Sequence, residues 1–60
     1  MTIKELEKVI EEKNFWLIDN GNNTYNIKSM RTGNCVFENE TLAGIEDCLE
    51  YILMKLDQSN

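Results

Sequence analysis

"FWLIDNGNNTYNIKSMRTGNCVFE", residues 15–38, holds three short apolar-rich runs separated by two clusters of turn-forming residues. "FWLID", residues 15–19, is aromatic and branched enough for a strand, and the "NGNN" after it supplies residues that tolerate positive φ in a turn. "TYNIKSM", residues 24–30, alternates, with Tyr25 and Ile27 on one face and Asn26 and Lys28 on the other, the pattern of a half-buried strand. "RTGN" then places Gly33 at the permissive position of a second turn, and "CVFE", residues 35–38, reads as a third strand. Connections this short join antiparallel neighbours, so the segment predicts a three-stranded meander.

The flanking segments change to a helical period. On the N-terminal side, Thr2 and Glu5 have the spacing of a capping box, and Ile3, Leu6, Val9 and Ile10 fall on one side of the helix that follows. Lys4, Glu5, Lys8, Glu11 and Glu12 are left for water. On the C-terminal side, "NETLAGIEDCLEYILMKL", residues 39–56, carries a stripe of Leu42, Ile45, Leu49, Ile52 and Leu56, flanked by Cys48 and Leu53. Thr41 or Asn39 caps this final helix. Gly44 lies off the stripe, where it permits a close approach, and residues 57–60 are expected to fray.

Each apolar stripe needs cover, and packing both helices on one face of the sheet is the simplest two-layer answer. The expected fold is α+β, ordered α-β-β-β-α, over a single domain of residues 1–60. The other sheet face takes whichever of Trp16, Ile18, Asn26, Lys28, Val36 and Glu38 alternate outward. That face is mixed and includes a tryptophan, so it is either covered by a partner chain or exposed as a binding patch.

A chain of 60 residues buries only about 60% of the surface its unfolded form exposes, which leaves a thin stability margin. Cys35 and Cys48 sit in different settings and are read as buried free thiols; without histidine or a close cysteine pair no zinc site is expected. Homodimerisation is then the natural stabiliser, with Trp16, Leu53 and Met54 as the surplus apolar positions for its interface. The charged start "MTIKELEKVIEEKN" and a longest apolar run of only "FWLI" argue against a leader or a membrane segment, and the chain reads as cytoplasmic. In that compartment the Asn-x-Thr sequons at Asn22 and Asn39 are chance matches.

Enzyme chemistry is hard to build here. With no histidine, acid–base work at neutral pH falls to groups that need burial or a partner, and the neighbouring Asp47 and Glu50 read as solvated helical acids. "GNN" and "TGN" lack the glycine-rich, lysine-bearing pattern of a phosphate loop. No catalytic residue, cofactor or metal ligand is expected.

Charge is the informative feature. The net charge is −5, yet residues 38–50 alone hold Glu38, Glu40, Glu46, Asp47 and Glu50 with no lysine or arginine. Either these acids only keep an outer helix face wet, or they form an anionic surface that steers toward a basic patch on another protein. Helical rotation places Ala43, Asp47, Glu50 and Met54 on a ridge away from the buried stripe, with Tyr51 alongside. Glu46, Asp47, Glu50, Tyr51 and Met54 are therefore the candidate partner-binding residues.

Two resemblances bear on this. The α-β-β-β-α order resembles the double-stranded-RNA-binding domain in topology. In that family a lysine cluster at the start of the last helix meets phosphates, whereas the matching stretch here is "NETLAGIED", residues 39–47, without a positive charge, so the resemblance implies no direct nucleic acid binding. In size, acidity and lack of catalytic residues the chain also resembles small phage-encoded anti-defence proteins, the anti-CRISPR and anti-restriction inhibitors. That resemblance implies an inhibitor occupying a basic channel of a bacterial defence protein, and it transfers no residue roles. The alternative is a structural or assembly subunit of a larger complex, whose acidity serves solubility.

Overall fold

Thr2 holds an extended backbone and starts helix α1 (Ile3–Glu12) in the computed structural model, which describes residues 2–59. The capping box is formed: the Thr2 hydroxyl accepts from the Glu5 amide at 3.2 Å, and the Thr2 amide donates to Glu5 Oε1 at 3.2 Å. Leu6 and Ile10 are the residues of α1 that lie fully buried. The helix stops at Asn14, which takes a left-handed φ of 68° and donates its amide to the Glu11 carbonyl at 2.9 Å.

The capping box makes α1 sensitive to acid. The Thr2 backbone N–H and then its hydroxyl hold the Glu5 carboxyl below the usual carboxylate range. A depressed folded pKa means that the contribution is present above the unfolded carboxylate value and is lost as pH falls through the folded one. We expect the hydrogen-exchange protection factors of the Glu5 and Leu6 amides to drop on acidification through that window, and Glu5→Gln to flatten the response. Protection independent of pH in the native chain would show that the carboxylate does not hold the helix start.

Strands β1 (Phe15–Asp19), β2 (Thr24–Ser29) and β3 (Cys35–Thr41) form one antiparallel sheet in the order β1-β2-β3, the expected meander. Asp19 Oδ1 accepts from the Gly21 amide at 2.8 Å in the first turn, where Gly21 and Asn23 have φ of 86° and 64°. In the second turn the buried Ser29 hydroxyl accepts from the amides of Arg31 and Thr32, both at 3.2 Å. The register sets Phe15 opposite Ser29 and Leu17 opposite Ile27, so one face of the sheet gathers the core residues.

β3 runs to Thr41, three residues past its expected end, because it absorbs extra residues. Ile27 pairs with Phe37 while Lys28 pairs with Cys35, and Tyr25 pairs with Glu40, so β3 bulges once at Val36 and again at residues 38–39. At the second bulge Asn39 has a φ of 57° and its amide donates to Asn26 Oδ1 at 2.9 Å. Asn39 is thereby used in the sheet, and Thr41 is the cap of the next helix, accepting from the Gly44 amide at 3.0 Å. The first bulge moves Val36 out of the outward-facing set: it lines a groove with Phe37, Tyr51 and Lys55 on the helix side.

The final helix forms as α2 (Leu42–Asp47) and α3 (Leu49–Ser59), with a bend at Cys48. Thr41 is at once the last residue of β3 and the cap of α2, so the sheet sets where α2 points and the change of course falls later. Bonds from the Cys48 amide to the Gly44 carbonyl and from the Ile52 amide to the Cys48 carbonyl carry the helix across the bend. A Cβ on Gly44 would lie 3.0 Å from the Thr41 hydroxyl, which is the close approach that its glycine allows.

All helices contribute to one core on one face of the sheet: Leu6, Ile10, Phe15, Ile27, Ile45, Ile52 and Leu56 are buried together. Leu49, central in the sequence stripe, is the first residue of α3 and is only half-buried. Residues 57–59, expected to fray, are helical as the last turn of α3. Lys13 pairs with Asp57 at 3.0 Å and Arg31 Nη2 donates to the Ser59 carbonyl at 3.1 Å, tying that turn to both the end of α1 and the second hairpin turn; Asn60 lies outside the described residues.

Candidate interaction surface

The bend at Cys48 gathers the acidic positions. Glu46, Asp47, Glu50 and Tyr51 line one shallow open depression over the α2–α3 junction, together with Cys48 and Leu49. Glu46, Asp47 and Glu50 are exposed, and none of their side chains has an ion pair or a hydrogen bond among the described residues. Their charge is therefore left for solvent or a partner. Met54, one turn further along α3, is 47% exposed and extends the same side of the helix.

Tyr51 is the pivot of this surface. It is 52% exposed, and the Lys55 ammonium stands 5.6 Å from its ring centroid, a cation–π contact between residues four apart. On its other side Tyr51 lines a groove between β3 and α3 with Val36, Phe37 and Lys55, which continues toward Glu40 and Gly44. Phe37 was missed as a surface candidate by sequence reasoning, and Val36 was expected on the opposite sheet face rather than in this groove. No short-range signal marks them, because their approach to Tyr51 depends on how the bulged β3 meets α3.

The expected dimer positions do not form one patch. Trp16 is 45% exposed on the sheet face turned away from the helices, beside Ile18, whereas Met54 is on the outer side of α3. Leu53 is half-buried and packs against the core.

Both cysteines are free and exposed, which corrects their reading as buried thiols. Cys35 pairs with Lys28, a residue of the outer sheet face, and Cys48 occupies the bend outside the buried stripe. Among the described residues no group of three or more histidine, cysteine or acidic side chains is placed to hold a metal ion, and no helix is long and apolar enough to cross a membrane. Comparison with protein-family models, with curated proteins and with solved structures finds no match.

Proposed function

We propose that this chain is a noncatalytic protein-binding module that offers the depression of Glu46, Asp47, Glu50 and Tyr51, with Met54 beside it, to a basic surface on another protein. The observation that carries the reading is that three exposed acids without side-chain partners and an exposed tyrosine line one depression at the bend. Unpaired rim charges speed encounter with a basic partner, the half-exposed tyrosine supplies a rigid aromatic anchor, and the methionine an adaptable apolar one. A basic channel that normally holds nucleic acid is a fitting target, which makes the inhibitory role of the phage anti-defence proteins the natural form of this activity.

The test is kinetic. A partner captured from bacterial lysate at low salt is measured against the native chain and against a variant with Glu46, Asp47 and Glu50 all changed to glutamine. Glutamine keeps the helix, so the variant folds, and its association rate at low salt is expected to fall on the order of tenfold with a flatter salt dependence. Equal rates at both salt concentrations would reduce the acids to a solvated face.

A second reading, an assembly subunit of a larger complex, is favoured by a separate observation: Trp16 and Ile18 are both exposed on the outer sheet face. Capture through that face would be insensitive to salt and abolished by Trp16→Ala, leaving the triple glutamine variant without effect.

A further inference from the structure

The sheet has two free edges, and the fold treats them differently. β3 is interrupted by two bulges, carries a left-handed Asn39, and bears Glu38 and Glu40, so its edge is irregular and repels a second acidic copy. β1 is regular over its five residues, pairs with β2 without a register shift, and has Asp19 as its one charged residue. It lacks the bulges and the left-handed residue that interrupt β3, and its one charge sits at its last residue.

Which backbone groups face outward from β1 follows from the hairpin. The Asn14 carbonyl accepts from the Met30 amide and the Asn20 amide donates to the Thr24 carbonyl, so residues 14, 16, 18 and 20 turn their backbone groups toward β2. Phe15, Leu17 and Asp19 turn theirs away, and among the described residues no turn, cap or side chain bonds them.

We propose that two copies of this chain pair through the β1 edges, antiparallel about a two-fold axis at Leu17, to make one continuous six-stranded sheet. In that register Leu17 exchanges both backbone bonds with Leu17 of the second copy, and Phe15 exchanges them with Asp19. The register also determines the side chains. Trp16 meets Ile18 of the second copy, twice, at non-hydrogen-bonded positions where side chains approach closest, a favourable aromatic–branched pair. The lone acid, Asp19, meets Phe15 and not another acid, so a chain of net charge −5 pairs through the less acidic of its two free edges. The half-buried Leu17 side chains cover one another at the axis. Such pairing leaves both acidic depressions exposed and does not rest on their role. It is small beside a standard interface, which makes the dimer weak and concentration-dependent.

The experiment is sedimentation velocity from roughly 10 µM to roughly 1 mM on the native chain and on a synthetic chain N-methylated at the Leu17 amide. Methylation removes an outward donor and leaves the β1–β2 ladder intact, as urea titration verifies. The expected result is a monomer–dimer equilibrium in the native chain, weakened at least about tenfold by methylation. The register is read by complementation: a Trp16→Glu chain and an Ile18→Lys chain are expected to pair with each other more tightly than either pairs with itself, because only in the mixed dimer does the new glutamate face the new lysine. A native chain that stays monomeric throughout, a dimer indifferent to methylation, or a mixture that pairs no more tightly than its components would each overturn the proposal.

Discussion

Phe15→Ala is expected to remove about 3 to 5 kcal/mol of folding stability, close to everything a core this small supplies. Phe15 is fully buried in the cluster that joins α1, the sheet and the last two helices. Truncation deletes its transfer free energy and leaves a cavity that short, mutually braced elements cannot collapse to fill. Urea titration should find the variant largely unfolded before denaturant is added. Leu49→Ala is the contrast: the residue lies in the same sequence stripe as Ile52 but is half-buried after the bend, so its loss should be about 1 to 2 kcal/mol. Equal losses at the two sites would mean that the helix runs straight through Cys48.

Asn39→Val should cost about 2 kcal/mol, a large effect for an exposed position. Asn39 has a φ of 57°, a conformation that asparagine tolerates and a β-branched residue resists. Relieving the strain by moving the backbone would break the bond from its amide to Asn26 Oδ1, which also accepts from Asn20 Nδ2 at 2.8 Å. Asn39→Gly removes the steric demand and should be near neutral. The pair of variants, compared by urea titration, isolates the backbone conformation from the side chain. The consequence reaches the candidate surface, since the second bulge sets where β3 delivers Thr41 and therefore where α2 carries Glu46 and Asp47.

Much of the architecture was legible in the residue order. The Thr2–Glu5 box, the alternation of Tyr25 and Ile27, and the glycines of the two turns are signals that act within four residues, and each appears in the structure as read. Part of the candidate surface was legible for the same reason: Glu46, Asp47, Glu50 and Tyr51 lie within six consecutive residues, and helical rotation alone sends them outward. The groove of Val36 and Phe37 beside Tyr51 was not, and neither was the exposure of the cysteines.

The start of α1, the two turn positions and the apolar faces of α1, β1 and β2 were determined by the sequence itself, because their energetics are local: a cap, a tolerated φ, a repeat of two or 3.6 residues. Tertiary structure alone decided the rest. The bulge at Asn39 depends on an acceptor 13 residues away in Asn26, and the order of the last turn depends on Lys13, 44 residues before Asp57. A bulge shifts every later side chain in its strand to the opposite face, so one pairing made across the sheet overrules the alternation written along it.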